Sequence, residues 1–381
     1  MSKKLRYACL FSGIGAPLQG AYRVYGKENI EHIFSCEYDK FARQSFKALY
    51  NIDDEHFHAD IRDLDATKYC GKVDILVGGS PCQAFSLAGL RNGTDDERGQ
   101  LIYEYIRIVS EVKAPIIIYE NVKGIMSIHN GNAIKEFVQA LRDIGYYCHY
   151  EVINTKDYGV PQNRERIFLV GFFDYKAYHR FSFAPKQKLE KRLKDVLETD
   201  VDEKYYLSAT FIETSVAHKK RHEQRGNGFS FTPKTGNDIY GGIATKYGAR
   251  QTDTFINEGV IGKLDIKGDD YIKRIYGTDG VSPCLPTMQG GNQEPKIIAM
   301  GGRNKDNLVL EREYAIRKLT PLEVWRLQDF PDEAHEAVKA AGVSDSQRYK
   351  QAGNSMSVNV LEMIFKQIDK ALRGEAEGLF A

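Results

Sequence analysis

Short apolar runs alternate with stretches of helical periodicity through the first half of the chain, the pattern of repeated β and α units. The spacing predicts strands over Tyr7–Phe11, His32–Cys36, Val73–Val77, Pro115–Tyr119, His149–Ile153 and Arg166–Gly171. Between them, Gln100–Val112 and Ala133–Ile144 carry apolar residues at helical spacing, in the first case Leu101, Tyr105, Ile108 and Val112. The expectation is an α/β fold with a doubly wound, Rossmann-like parallel sheet.

Around Ala184-Pro185-Lys186 the alternation fades, and Gly and polar residues multiply through Arg225-Gly226-Asn227-Gly228, Gly241-Gly242 and Gln289-Gly290-Gly291-Asn292. Short Tyr, Phe and Ile segments between Gly, Asn and Asp predict a smaller, mostly β second domain with long loops. Thr320-Pro321-Leu322-Glu323 starts a helix, with Thr as cap, Pro at the first helical position and Glu at the third. A last helix over about Val358–Leu372 is amphipathic through Val360, Met363, Ile364 and Ile368 and is expected to return to the large domain. The expected division is 1–183 plus 346–381 for the large domain, and 184–345 for the second domain with its supporting helix.

Composition narrows the field. A chain of 381 residues can bury a large core, and its 23 Tyr and 19 Phe exclude a disordered polymer. No apolar run approaches the roughly 18 residues of a membrane span. Met1-Ser2-Lys3-Lys4-Leu5-Arg6 leads into a strand rather than a signal-peptide core, so a cytoplasmic protein is expected. The six cysteines (Cys9, Cys36, Cys70, Cys82, Cys148, Cys284) form no C-x-x-C pair and have no His at ligand spacing, which argues against disulfides and against a metal site.

The candidate chemistry sits at predicted strand ends. Phe11-Ser12-Gly13-Ile14-Gly15 follows the first strand; its two glycines permit a tight turn against a ligand, but Leu18 stands where a dinucleotide fingerprint needs a third. Glu37 ends the second strand, where a carboxylate can hold a ribose, and Asp60 ends a further short apolar segment, within reach of an adenine amino group. Gly78-Gly79-Ser80-Pro81-Cys82-Gln83 puts a cysteine on a rigid loop, poorly placed for core packing and well placed for a nucleophile. Glu120-Asn121-Val122 brings a carboxylate to the neighbouring loop. In Gln162-Asn163-Arg164-Glu165-Arg166 the alternating arginines can point the same way to bind an anion or a carbonyl.

In this order the motifs resemble the cytosine-C5 DNA methyltransferase family. The resemblance extends to Arg317-Lys318-Leu319-Thr320-Pro321-Leu322-Glu323, to Leu327-Gln328-Asp329-Phe330-Pro331 and to Gln351-Ala352-Gly353-Asn354-Ser355, leaving only about Phe173 to Arg312 uncovered. It implies S-adenosylmethionine as methyl donor, S-adenosylhomocysteine as product and no metal. It places Phe11, Ser12, Gly13, Ile14, Gly15, Glu37, Tyr38, Asp60, Ile61, Gly79, Pro81, Leu101, Asn354 and Ser355 at the cofactor. Cys82 becomes the nucleophile that adds to cytosine C6, flanked by Pro81 and Gln83. Glu120 with Asn121 becomes the contact to N3 and the 4-amino group, and Arg166 with Arg164 the contact to the 2-carbonyl or a phosphate. The base must be flipped out of the duplex, and Ser86–Gly99 is the expected lid, with Ser86 and Arg98 as DNA contacts.

The same resemblance makes the middle region the target-recognition domain. There, Tyr271 would fill the gap in the duplex, Arg274 would touch DNA and Thr287 would contact the backbone beside the flipped base. From Glu213 to Arg250, seven Lys/Arg, including Arg221, Arg225 and Arg250, face three acids. Whole-chain charge, +1, disfavours a nucleic-acid partner only as an average; the local excess supplies phosphate contacts. The expected partner is double-stranded DNA, with the protein a monomer of a bacterial or phage modification system and any cognate restriction endonuclease not in direct contact. A catalytically silent DNA-binding relative and a tRNA cytosine-C5 methyltransferase are the alternatives, while a dehydrogenase leaves Cys82, Glu120 and Arg166 unexplained.

Overall fold

A computed structural model describes residues 4–81, 101–127, 131–205 and 314–374, together with short strands at 260–263, 274–276, 282–283 and 296–300. β1 (Leu5–Leu10) leads through α1 (Ala16–Tyr25) to β2 (Ile30–Cys36), then through α2 (Lys40–Tyr50) to a short β3 (Phe57–His58). β4 (Ile75–Gly78), α3 (Leu101–Val112), β5 (Ile116–Val122), α4 (Asn132–Asp143) and β6 (Tyr147–Asn154) follow, then β7 (Gln162–Asn163), β8 (Glu165–Phe172) and α5 (Tyr175–Arg180).

Seven strands form one sheet in the order β3-β2-β1-β4-β5-β8-β6. β1 pairs in parallel with β2 and β4, β2 with β3, and β4 with β5. The sheet has the expected doubly wound, Rossmann-like character, with one strand reversed: β8 runs antiparallel to both β5 and β6. Between β6 and β8 the chain has only a single 3-10 turn at Thr155–Tyr158 and the two-residue β7, too little for a helical crossover, so it folds straight back.

Strand alternation splits the interior into two cores. Tyr7, Cys9, Ile75, Val77, Ile116 and Ile118 face one layer, built on α1 and on α9 (Val358–Arg373), while Ala8, Leu10, Leu76, Ile117 and Tyr119 face α3 and α4. Because both faces are covered, the central strands are apolar throughout, and each fully buried Val, Leu, Ile or Phe contributes about 1.5–3 kcal/mol.

The later strands β9 (Val260–Lys263), β10 (Arg274–Tyr276), β12 (Lys296–Met300) and β13 (Tyr314–Lys318) form a second sheet in the order β13-β12-β10-β9, and β11 (Ser282–Pro283) pairs with β7. From β9 to β13, all of the described residues lie in strands. α6 (Pro321–Arg326) begins as anticipated: Glu323 N–H donates to Thr320 Oγ1, and Thr320 N–H donates to Glu323 Oε2 at 2.7 Å. The Glu323 carboxylate also pairs with Arg317, both buried. Val324, Trp325, Leu327 and Phe330 then enter the core shared by α1 and α9. α7 (Asp332–Ala340) and α8 (Asp345–Asn354) complete the chain's return to the large sheet.

Candidate active site

The carboxyl ends of β1, β2 and β4 and the last residues of β5 converge on one edge of the sheet. After β1 the backbone turns left-handed at Phe11 (φ 52°) and again at Gly13 and Gly15. A Cβ at Gly15 would lie 2.3 Å from a Tyr50 ring carbon, so only glycine lets α1 start there. Gly13, by contrast, faces open space. Ile14 is buried in the core, and Ser12 is buried with its hydroxyl lacking a protein partner.

Glu37, just beyond β2, accepts hydrogen bonds from Gly13 N–H at 2.8 Å through Oε2 and from Asp39 N–H at 2.8 Å through Oε1. Burial pushes its carboxyl above the usual range, against the pull of those two donors. Next to it, the Tyr38 ring is 74% exposed. Asp60 accepts from Arg62 N–H and pairs with the Arg62 guanidinium at 2.6 Å, which holds its carboxyl below the ordinary value. Ile61 is a core side chain, and the half-buried Leu101 opens α3.

Glu120 lies within β5 rather than on a loop, paired in register with Phe168 of β8. Since β8 is antiparallel, its start returns to the edge where β5 ends, and Arg166 Nε stands 3.2 Å from Glu120 Oε1. The Arg166 and Glu120 side chains are 17% and 13% exposed. Burial pushes the Glu120 carboxyl up, while Arg166 and then Arg164 pull it down. Gly79 closes the site from β4: a Cβ there would meet Glu120 O at 2.9 Å, Met356 Cε at 2.9 Å and Glu120 Oε2 at 3.1 Å. Gly79→Ala is expected to displace the carboxylate and lower turnover roughly 10²-fold, with a folding cost of about 1–3 kcal/mol. Steady-state rates and a thermal melt check it, and wild-type turnover would show the clearance to be unnecessary.

Asn121 is fully committed to structure. Its Nδ2 donates to Ser80 O at 3.1 Å and to Tyr119 Oη at 2.7 Å, its Oδ1 accepts from Val122 N–H, and Ser80 Oγ bonds Tyr119 Oη at 2.7 Å. This buried cluster fixes the backbone one residue before the exposed Pro81. Cys82, Gln83, Ser86 and Arg98 lie outside the described residues, as do Tyr271, Thr287, Arg221, Arg225 and Arg250. Arg274 is described only as backbone, in β10.

The two arginines part company. Arg166 faces Glu120, whereas Arg164, in the break between β7 and β8, is buried and donates from Nη1 to Gly353 O at 3.2 Å and from Nη2 to Ser355 O at 2.8 Å. Asn354 is exposed at the end of α8, and Ser355 is buried, with Oγ donating to Met356 O. Sequence reasoning missed Met356, Arg62 and the Tyr119–Ser80 pair. Met356 stands two residues past Asn354 and Arg62 two past Asp60, so adjacency to the motifs was the available signal.

Residues 5–370 match the family described as C-5 cytosine-specific DNA methylase. The orphan methyltransferase M.Rho11sI of Bacillus phage rho11s is 33% identical, with 96% of this chain and 98% of the relative covered. The type II methyltransferase M.HpaII of Haemophilus parainfluenzae is 32% identical, covering 97% and 90%. In fold, the chain resembles the solved Entamoeba histolytica methyltransferase EhMeth, with a TM-score of 0.67 at 15% identity over 97% of this chain and 99% of that one. A family match over almost the whole length, on a sheet whose edge gathers the glycine loop, Glu37, Glu120 and Arg166, means that the chain belongs to the C-5 cytosine-specific DNA methylases.

Proposed function

We propose that this chain transfers a methyl group from S-adenosylmethionine to C5 of a cytosine flipped out of duplex DNA, through a covalent bond between Cys82 and C6. The observation that carries the reading is the Glu120–Arg166 pair, held against Gly79 three residues before Cys82 in the chain. The cofactor edge fits an adenosyl amino acid: a buried Ser12 hydroxyl without a protein partner, open space over Gly13, and a Glu37 carboxylate oriented by two N–H donors. Bound S-adenosylmethionine supplies an electrophilic methyl. Glu37 would hold the ribose, Asp60 the adenine amino group, and Asn354 with Ser355 the methionine end.

Cytosine C5 is a weak nucleophile until aromaticity is broken. The Cys82 thiolate adds to C6 while the Glu120 carboxylic acid, favoured by its burial, gives its proton to N3. Arg166 orients that carboxyl and faces the developing charge at the 2-carbonyl. C5 would then attack the methyl carbon, the methyl–sulfur bonding pair leaving with S-adenosylhomocysteine. Loss of the C5 proton to solvent, expulsion of the thiolate and return of the N3 proton to Glu120 restore the ring and the enzyme.

Bisulfite sequencing of a plasmid from cells expressing the protein checks the reading. Protected cytosines are expected at one recurrent duplex sequence. A plasmid without protected cytosines would overturn the DNA activity, and methylation found only in tRNA would reassign the substrate.

A further inference from the structure

The turn 352–357 has its carbonyls gripped by side chains from distant parts of the chain. Gln328 Nε2 donates to Ala352 O at 2.8 Å, and Ser357 Oγ donates back to Gln328 Oε1 at 2.7 Å. Arg164 takes Gly353 O and Ser355 O with the two ends of one guanidinium, and Ser355 Oγ donates to Met356 O. Asn354, between the two carbonyls that Arg164 holds, leaves its side chain exposed. Arg164 is itself fastened: its N–H donates to Asn154 Oδ1 at 3.1 Å, and its carbonyl accepts from Thr155 N–H at 3.0 Å. Two residues on, Arg166 holds Glu120.

We propose that Arg164 is a positioning residue rather than a base contact: it clamps the Asn354 turn to the strand that carries Arg166, and so sets the spacing between the methyl donor and the cytosine-binding carboxylate. The inference rests on the reading of Asn354 and Ser355 as cofactor contacts. A planar guanidinium is suited to the task because its fork reaches two carbonyls at once, and the unsatisfied carbonyls at the end of α8 are natural acceptors for it. Its burial agrees with this role. A side chain only 3% exposed, with both Nη groups engaged, is poorly placed to swing onto a phosphate. Its charge nevertheless reaches Glu120, whose carboxyl it helps to pull down.

Arg164→Lys keeps the charge but cannot bridge two carbonyls. The measurements are S-adenosylmethionine Kd by calorimetry without DNA, duplex Kd, and the rate of covalent trapping on 5-fluorocytosine DNA. Cofactor Kd is expected to weaken about tenfold, the loss of one charge-assisted hydrogen bond, with duplex affinity unchanged. Unchanged cofactor Kd with weakened duplex binding or slowed trapping would overturn the proposal and return Arg164 to the base. Should the variant fail to fold, the crystal structure of the wild-type adduct with 5-fluorocytosine DNA decides. A guanidinium still on Gly353 O and Ser355 O supports the clamp, and one rotated onto base or phosphate overturns it. Asn354→Ala tests the underlying reading separately, since an unchanged cofactor Kd there removes the turn from the cofactor site whatever Arg164→Lys does.

Discussion

Cys82→Ser is expected to reduce methyl transfer by at least about 10⁴-fold while duplex binding survives, as when a covalent nucleophile is removed from an otherwise intact site. A serine hydroxyl is far less acidic than a thiol, and nothing in the proposed chemistry generates its alkoxide, so addition to C6 stalls. Incubation with 5-fluorocytosine DNA and S-adenosylmethionine gives the complementary result. With no C5 proton to lose, wild-type protein should remain bound to the DNA through Cys82, and Cys82→Ser should form no adduct. Substantial turnover by the serine variant, or a wild-type adduct mapped to another residue, would sink the covalent route.

Glu120→Gln is expected to lower turnover roughly 10²–10⁴-fold, the usual scale for a lost general acid, and to leave cofactor affinity nearly unchanged. The amide keeps the shape in β5 and the contact with Gly79 but has no proton to give. The sign of the pH dependence follows from the carboxyl's surroundings. Burial raises its pKa and Arg166 opposes that rise, so activity that needs the protonated acid falls as pH climbs through the Glu120 pKa. Arg166→Gln removes the opposing charge and should move that limb of the kcat/KM profile to higher pH, alongside a lower overall rate. A limb that stays in place in Arg166→Gln, or equal losses of turnover and cofactor affinity in Glu120→Gln, would take Glu120 out of the acid's role.

Much of the fold was legible because both layers leave regular traces in sequence. The apolar alternation of β1, β4 and β5 and the helical spacing of α3 and α4 correspond to two real cores. The cap at Thr320 was legible because its partners lie within three residues. That the two arginines turn different ways is something spacing cannot reveal. Alternate residues of a continuous strand share a face, but β7 ends at Asn163 and β8 starts at Glu165, so Arg164 sits in the break and turns inward. The depth of α6 in the core of the large domain was equally hidden, since its partners on α9 lie far along the chain.

The sequence alone determined which residue types occur and in what order along the chain: the glycine loop, Glu37, Cys82, Glu120, Arg166 and Asn354. Local periodicity and turn chemistry depend on near neighbours, which any reader of the chain can count. Only the tertiary structure decided which of them meet. The short link after β6 reverses β8, and this reversal, not any motif, delivers Arg166 to Glu120; a parallel β8 would have left it at the opposite edge of the sheet. Strand direction is set by the length of the connection and by pairing across the sheet, and so the Glu120–Arg166 pair is a property of the assembled fold.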